Sequence, residues 1–416
     1  MRRTLAITCA AALVLTACGT KGGGSDGGTE GAGGVTTDVG VTDSEITLGV
    51  MTDQTGPFKA LSTGITHGNQ LWVEDVNAGG GICGRDLKLE IVDHGYKADT
   101  AKTLYPQIEP KVLGLVQLVG SPVTAALSED LEADEMTTTP TSWSSELLSN
   151  PYLMVVGTTY DVEMINGLSY LQDEGMLSDG DTIGHIYIDG EYGANGLRGA
   201  RYYAKQHDLN LKEVKITSSD NDLTNVVTGL RGQGVEAITL TTTPTQTGSV
   251  AAANKALGLN VPILGNNPTF DPLLHNSPAA GALDNLYVVA SSVPFSADIP
   301  KMKDVAQKFD AAGYTEPPNA GVPYGYAVAE VWGAVLEKAC ENKDMTRSGV
   351  HDALQETTSA DTGDLVAELD FSTPGAPATR EVYVAKPDAS VKGGVTYVKP
   401  LFESEDAKNY KAPHQE

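Results

Sequence analysis

Residues 112–119 read Val-Leu-Gly-Leu-Val-Gln-Leu-Val, an apolar run with one polar side chain. A strand with one face in water alternates apolar and polar residues, whereas a strand covered on both faces is apolar throughout. Sheets covered on both faces by helices are typically the parallel sheets of α/β proteins. The run therefore predicts a buried strand of a parallel sheet.

The sequence on either side alternates short apolar runs with segments of helical period, which predicts an α/β fold with doubly wound parallel sheets. The further predicted strands are 46–51, 87–92, 183–188, 237–240, 261–265 and 286–290. The predicted helices are 65–76, 98–108, 124–131, 195–206, 223–231, 247–257 and 324–339. After residue 355 the pattern changes to short strands alone, at 365–371, 381–385 and 394–399.

The chain of 416 residues is longer than one hydrophobic core usually serves, so two lobes are expected. We predict a first lobe from 45–155, completed by 291–357, and a second lobe from 156–290. Residues 358–416 return through the hinge and add the last strands of the second lobe. The chain then crosses between the lobes three times, which predicts a three-strand hinge.

The charge balance excludes a nucleic-acid-binding surface as the main function. The chain has 54 Asp and Glu against 28 Lys and Arg, a net charge of −26. Nucleic-acid-binding domains are typically basic. No nucleic-acid partner is expected.

The first 44 residues indicate export and anchoring. Residues 1–17 have a basic start and a short apolar run, typical of a cleavable signal peptide and too short to span a membrane. The run ends in Leu15-Thr16-Ala17-Cys18, which resembles the lipobox of bacterial lipoproteins, where the cysteine is acylated. An ordinary signal peptide with a chance cysteine is the alternative. Glycine-rich residues 18–44 are predicted to be a flexible tether.

Two cysteines remain in the folded part, Cys83 and Cys340. Oxidising compartments favour disulfides, so one bond between them is expected. Two unpaired buried thiols are the alternative.

No local motif of catalysis, metal binding or cofactor binding stands in the structural context that its function requires. Residues 79–84 spell a dinucleotide-binding fingerprint, but they follow a helix and precede a strand, the reverse of what the motif needs. The seven His residues are dispersed, with no pair at metal-ligand spacing. We therefore predict no enzyme, no metal and no cofactor.

Four stretches resemble the branched-chain amino-acid-binding proteins of ABC importers. These are residues 46–57, the segment Asp75-Val76-Asn77-Ala78-Gly79-Gly80-Gly81-Ile82-Cys83-Gly84-Arg85, and Asp189-Gly190-Glu191-Tyr192-Gly193 with Tyr326-Ala327-Val328 further on. The resemblance extends from about residue 45 to the C-terminus. It implies the type I periplasmic-binding-protein fold, whose two lobes close on a ligand.

The resemblance also implies ligand-binding positions in the first lobe. After the buried strand of the opening run, Ser121 or Thr124 occupies the place from which the family binds the ligand carboxylate. Both stand at a predicted helix start, where they would equally serve as caps. Phe58, Leu61 and Tyr324 are expected to line the first-lobe wall and the hinge side.

After the next strand, Thr141, Ser142 and Trp143 take the positions whose main-chain and hydroxyl groups hold carboxylate and ammonium in the family. Trp143 replaces a small hydroxyl residue there. This departure favours an apolar or aromatic ligand.

In the second lobe, Tyr192 matches a tyrosine that covers the ligand, with simple packing as its alternative. Thr243 stands where an aromatic lid residue is usual. Asn267 stands where amino-acid binders place the acid that pairs with ammonium, and without it a buried ammonium costs several kcal/mol, roughly 3 to 5. Asp271, four residues on, is the predicted substitute.

The expected function is that of an extracytoplasmic lipoprotein that captures a small polar solute and delivers it to ABC permease and ATPase subunits. The solute classes left open are a branched-chain amino acid, an amide or urea-like molecule, and an aromatic acid. A ligand-sensing lipoprotein of the same fold and an exported hydrolase remain as alternatives. We expect a monomer held at the outer face of the membrane by the lipid on Cys18.

Overall fold

The computed structural model describes residues 28–415 as an α/β protein. Its strands are β1 (Thr29–Glu30), β2 (Thr36–Thr37), β3 (Glu45–Thr52), β4 (Asp86–Asp93), β5 (Leu115–Val119), β6 (Thr138–Thr141), β7 (Thr182–Ile188), β8 (Asn210–Ile216), β9 (Ala237–Thr241), β10 (Ile263–Gly265), β11 (Leu286–Ala290), β12 (Asp344–Met345), β13 (Val382–Pro387) and β14 (Val395–Phe402). Its α-helices are α1 (Lys59–Ala78), α2 (Ala98–Ile108), α3 (Ser121–Ala133), α4 (Tyr160–Asp173), α5 (Glu191–Gln206), α6 (Thr224–Gly232), α7 (Pro244–Ala256), α8 (Pro300–Ala312), α9 (Gly321–Glu341), α10 (Arg347–Glu356) and α11 (Glu405–Asn409).

The first lobe is built on a parallel four-stranded sheet in the order β4-β3-β5-β6. All five residues of β5 are buried, as the opening run predicts. Helices α1 and α9 pack closely on each other because Gly68 and Gly325 face the partner backbone. A Cβ on Gly68 would lie 2.3 Å from the Val322 oxygen, and one on Gly325 would lie 2.1 Å from the Ile65 oxygen.

The second lobe is built on a seven-stranded sheet in the order β14-β13-β11-β10-β9-β7-β8. Strands β7 to β11 are parallel, β13 pairs antiparallel with β11, and β14 pairs antiparallel with β13. The predicted strands at 381–385 and 394–399 correspond to β13 and β14. With α8, α9 and α10 packed in the first lobe, we propose the lobe division given above.

Three segments cross between the lobes side by side. The first, at 154–159, contacts the second where the Thr158 N–H donates to Ser291 Oγ at 3.1 Å. The second and third form an antiparallel bridge between Ser292 and Val366. The fold thus has the three-strand hinge that the sequence predicts.

Two predictions from the sequence need correction. The strand expected at 365–371 is wrong, because Val366 makes one bridge to Ser292 and the following residues form no ladder. The tether expected over 18–44 is also wrong for its described part. There, β1 pairs with β2 and β2 with β12, while Val35 and Val41 are buried against the first lobe. Because the segment is rich in glycine, Val35 and Val41 were not recognised as residues that anchor it to the first lobe.

The predicted signal peptide and the lipidated Cys18 lie outside the described residues. Within residues 28–415, no helix combines the length and the apolarity that a membrane crossing requires.

Cys83 and Cys340 are joined by a disulfide, with their Cα atoms 6.0 Å apart. Cys83 lies beyond the C-terminal end of α1, and Cys340 lies near the C-terminal end of α9. The bond therefore ties together the ends of the two helices whose N-terminal ends lie near the hinge and the cleft.

We predict that replacing both cysteines by serine lowers the free energy of unfolding by about 2–5 kcal/mol, because a long loop in the unfolded chain loses its closure. Denaturant unfolding of the variant, with the reduced parent protein as a matched control, measures this loss. An unchanged midpoint for both samples would show that the bond contributes no stability.

Candidate ligand-binding site

The first-lobe part of the site is formed where β5 turns into α3. Gly120 adopts φ 103°, a conformation that glycine tolerates, and a Cβ there would lie 2.6 Å from the Tyr96 ring. Ser121 is then the first residue of α3, with no side-chain cap on this helix. Its hydroxyl instead lies 2.6 Å from that of Ser142, which follows β6. The helix N-terminus favours a negative charge at this place.

Thr124 is positioned differently from Ser121. Its hydroxyl donates to the Gly120 oxygen at 3.0 Å, one turn back in its own helix, and its side chain is fully buried. Of the two candidate donors that the sequence leaves open, the structure directs Ser121 toward the cleft and Thr124 into the helix.

Ser121 and Tyr160 line a narrow cavity of about 20 Å³ between the lobes. The Ser142 hydroxyl is hydrogen-bonded to that of Ser121, but Ser142 is not part of the lining. Burial raises the pKa of Tyr160, so this phenol stays protonated at neutral pH. The cavity accommodates about one water-sized group. Its lining comprises Phe58, Leu61, Ser62, Tyr96, Val119, Gly120, Ser121, Thr141, Trp143, Tyr160, Tyr192 and Pro268.

Aromatic rings from both lobes enclose this cavity. Tyr192 of the second lobe lies 4.8 Å from Tyr160 and 6.2 Å from Phe58 of the first lobe, measured between ring centroids. The Tyr192 hydroxyl donates to the oxygen of Thr242 and to Asn266 Oδ1, both at 3.2 Å. Tyr192 is therefore a fixed wall of the cleft.

Trp143 forms the floor on the hinge side. It is 1% exposed, and its Nε1 donates to the Val156 oxygen at 2.9 Å. Tyr324 donates to the same oxygen at 3.2 Å and packs edge-on against Trp143. Tyr324 supports this floor from behind and is not part of the cavity lining.

A second, wider cavity of about 520 Å³ opens between the lobes, and Phe58 and Leu61 belong to the walls of both cavities. Its lining is mostly apolar, and Leu273 is 52% exposed there. The residues that line it are Pro57, Phe58, Lys59, Ala60, Leu61, Thr63, Pro244, Thr245, Phe270, Asp271, Pro272, Leu273, Leu274, Ser277, Glu316, Pro317 and Asn319.

The predicted second-lobe residues are dispersed over this region. Thr243 caps α7, accepting from the Gln246 N–H at 3.3 Å, and takes no part in the lining. Asn267 borders a small third cavity of about 50 Å³, which Leu61 and Asp271 also line. Asp271 accepts the Leu273 N–H at 2.8 Å and so caps a short helical turn, and burial raises its pKa. Neither Asn267 nor Asp271 borders the narrow cavity.

Six residues that line the narrow cavity were not predicted as site residues: Ser62, Tyr96, Val119, Gly120, Tyr160 and Pro268. Tyr96 has φ 61° in the loop after β4, and Tyr160 begins α4 directly after the first hinge crossing. A hydroxylated aromatic residue at the hinge was the available signal for Tyr160. Tyr96 shows no local signal, because its place depends on the turn at Gly120.

The two lobes are also joined by a polar network beside the hinge. Asn195 of α5 donates to Ser145 Oγ at 2.8 Å and to Glu146 Oε2 at 2.9 Å, both in the first lobe. Arg198 pairs with Glu146. Burial opposes ionisation of Glu146, but the Arg198 guanidinium holds its pKa below the usual range. These contacts hold the two lobes together beside the hinge.

Within residues 28–415, no cluster of His, Cys, Asp and Glu could hold a metal ion. Residues 45–394 match the family described as periplasmic binding protein. The chain belongs to the periplasmic binding protein family. Its membership confirms the predicted solute-binding role and the prediction that the chain is not an enzyme.

Individual relatives of the periplasmic binding protein family agree. The fatty acid ABC transporter substrate-binding protein from Thermomonospora curvata is 39% identical, with a TM-score of 0.90, over 92% of this chain and 99% of that chain. A branched-chain amino acid ABC transporter protein from Thermus thermophilus with bound valine is 18% identical, with a TM-score of 0.79, over 88% and 98% of the two chains. The latter likeness shows the common type I fold.

Among curated proteins, Leu/Ile/Val-binding protein homolog 3 of Brucella melitensis is 25% identical over 344 residues, covering 77% of this chain and 89% of that protein. The predicted resemblance to branched-chain amino-acid-binding proteins is therefore confirmed at the level of family and fold.

Proposed function

We propose that this periplasmic binding protein captures an aliphatic carboxylic acid between its lobes and delivers it to the permease of an ABC importer. The observation that carries the proposal is the pairing of two cavities. A hydroxyl-lined cavity for one polar group shares Phe58 and Leu61 with an apolar cavity large enough for a hydrocarbon chain.

The polar head of the ligand would bind in the narrow cavity. Ser121 and Ser142 supply hydroxyl donors, Tyr160 supplies a third, and the N-terminus of α3 favours an anion. Hydrogen bonds to a charged group contribute about 1.5–3 kcal/mol each. At about 20 Å³, the narrow cavity would admit one carboxylate oxygen of the head and would exclude a tail.

The tail would pass Phe58 and Leu61 into the wide cavity. Its volume of about 520 Å³ lies within the range of roughly 300–1,000 Å³ typical of small-molecule sites. Each buried methylene contributes about 0.8 kcal/mol. An eight-carbon chain would thus gain several kcal/mol, about 5, from apolar contacts alone.

The charges of the site favour an acid without an ammonium group. No Asp or Glu belongs to the described lining of the narrow cavity, and Asn267 stands where amino-acid binders place their acid. The predicted substitute, Asp271, serves as a cap beside the wide cavity. The name of the 39% identical relative, a fatty acid ABC transporter substrate-binding protein, supports the same ligand class.

We further propose that the mature protein is a monomeric lipoprotein, anchored through Cys18 to the outer face of the cell membrane. The motif Leu15-Thr16-Ala17-Cys18 after a basic and apolar start supports this. The tether would then extend from Cys18 to about residue 28, where β1 begins to pair with the first lobe.

The ligand class predicts a regular dependence of affinity on chain length. From hexanoate through octanoate to decanoate, each added methylene should strengthen binding about fourfold, because burying one methylene contributes about 0.8 kcal/mol of binding free energy. Isothermal titration calorimetry on the delipidated mature protein measures this series.

Leucine is the matched control, because it combines a carboxylate and an apolar side chain with an ammonium group. It should bind at least about 100-fold more weakly than octanoate, since the ammonium would be buried without a partner. Tight leucine binding with no gain along the fatty acid series would reject the proposed ligand class in favour of an amino acid.

A further inference from the structure

A buried carboxyl group lies just behind the second-lobe wall of the cleft. Glu163 follows Tyr160 by one turn of α4, and its side chain is fully buried. Its Oε2 accepts the Asn267 N–H at 3.1 Å, and the next residue, Pro268, lines the narrow cavity. Glu163 thus contacts the residue that directly precedes Pro268 in the wall of the proposed site for the ligand head.

Two polar atoms at this place lack hydrogen-bond partners among the described residues. One is Glu163 Oε1, and the other is Asn266 Nδ2. Asn266 is itself attached to the cleft wall, because its Oδ1 accepts the Tyr192 hydroxyl at 3.2 Å. Buried polar groups are normally paired, so this arrangement indicates a functional rather than a purely structural carboxyl group.

Among residues 28–415, the groups that interact electrostatically with Glu163 carry no positive charge. They are Asp161 and Tyr160 of the same helix, Tyr192 of α5 and Tyr324 of α9, while the loop after β10 contributes the Asn267 N–H. Burial raises the pKa of Glu163 well above its ordinary value, Asp161 adds to the increase, and the Asn267 N–H opposes it.

We propose that Glu163 is a charge gate of the cleft, which admits a ligand carboxylate while it is uncharged and excludes one when it is ionised. This inference rests on the proposed function, since it assigns the ligand an anionic head beside Ser121, Ser142 and Tyr160. Tyr160 lines the narrow cavity together with Ser121 and precedes Glu163 by three residues of α4, a rise of about 4.5 Å.

The gate acts through the low dielectric of the closed site. Two negative charges repel far more strongly there than in water, so a bound carboxylate favours the protonated form of Glu163. By linkage, affinity is complete below the pKa of Glu163 in the free protein and decreases about tenfold for each pH unit above it.

The test compares octanoate with octanamide, its uncharged counterpart, from about pH 6 to about pH 9, a range in which octanoate is predominantly ionised. For the parent protein we expect octanoate affinity to decrease with rising pH by up to about tenfold per unit, with a flat profile for octanamide. Glu163→Gln keeps an acceptor for the Asn267 N–H and should give a flat profile for both ligands.

Glu330→Gln is the matched control. Glu330 is also a largely buried carboxyl group, 15% exposed, whose pKa is raised by burial against the opposing charge of Lys301, but it lines neither cavity. This variant should keep the pH profile of the parent. A flat octanoate profile in Glu330→Gln as well would contradict a specific role of Glu163.

A measurement on the parent protein alone keeps the inference testable if Glu163→Gln does not fold. Calorimetry in buffers of different ionisation enthalpy should show proton uptake on binding octanoate at the alkaline end, and none on binding octanamide. Octanoate binding without uptake, or with the same pH profile in the parent and in Glu163→Gln, would overturn the gate. No octanoate binding at any pH would instead contradict the proposed function.

Discussion

Replacing Ser121 and Ser142 together by alanine should weaken octanoate binding by about 100-fold or more. The structure joins their hydroxyls at 2.6 Å beside Tyr160, at the start of α3. Each hydrogen bond to a carboxylate contributes about 1.5–3 kcal/mol, so the loss of two removes at least about 3 kcal/mol. Calorimetric titration of the double variant at neutral pH measures the effect.

Thr124→Val provides the comparison within the same helix. Thr124 is equally close to the helix start in sequence, but its hydroxyl bonds to the Gly120 oxygen and does not line the cavity. We expect a loss of less than about fivefold. If Thr124→Val weakens octanoate binding as much as the double variant does, the carboxylate is not held by the Ser121 and Ser142 pair.

Asp161→Ala should lower the free energy of unfolding by about 3–5 kcal/mol. Asp161 is fully buried beside the hinge and accepts hydrogen bonds from Ser145 at 2.6 Å, Thr159 at 2.6 Å and Tyr410 at 2.8 Å. Removal of the carboxylate leaves these hydroxyl donors without a partner, at about 1–3 kcal/mol each. Thermal and denaturant unfolding of the apo protein measure the loss.

The same change should weaken ligand binding, because Ser145 belongs to the first lobe and Asp161 begins the second. Without this contact, a smaller fraction of the protein is closed, and apparent affinity decreases in proportion. Asp179→Ala is the control. Asp179 also accepts from two side chains, but it is 68% exposed, so a much smaller loss of stability is expected. Equal losses in the two variants would refute the special role of Asp161.

Most of the sheet architecture follows from local sequence patterns. The apolar run at 112–119 contains β5, and the strands at 46–51, 87–92 and 183–188 lie within β3, β4 and β7. Strands β3, β5 and β7 are buried over most of their length, so their apolar composition identifies them, whereas the edge strand β4 keeps exposed residues. Strand β6 was expected only from the family resemblance, because its sequence, Thr-Thr-Pro-Thr, carries no apolar signal although all four residues are buried.

The candidate site was only partly predictable. Ser121, Ser142, Trp143 and Tyr192 stand at ends of strands and starts of helices that meet at the cleft, as the family resemblance implies. Glu163 lies inside a buried helix, and its relation to Asn267 depends on how α4 packs against the loop after β10. Contacts of this kind arise from tertiary packing, which local patterns do not specify.

The role predicted for Asp271, that of the acid that pairs with a ligand ammonium, likewise depends on tertiary structure that local patterns do not specify. Four residues separate it from Asn267, close enough in sequence to take over the role of the missing acid. In the structure the carboxylate is instead held by the Leu273 N–H, in a turn beside the wide cavity. Short-range capping thus determines where this side chain points.

The most direct test is a crystal structure of the protein with octanoate that carries a bromine on its terminal carbon. We expect the carboxylate within hydrogen-bonding distance of Ser121 and Ser142, and the anomalous signal of the bromine in the wide cavity near Phe270. A bromine signal in the narrow cavity beside Tyr160, or a ligand bound outside the space between the lobes, would contradict the proposed capture of an aliphatic acid.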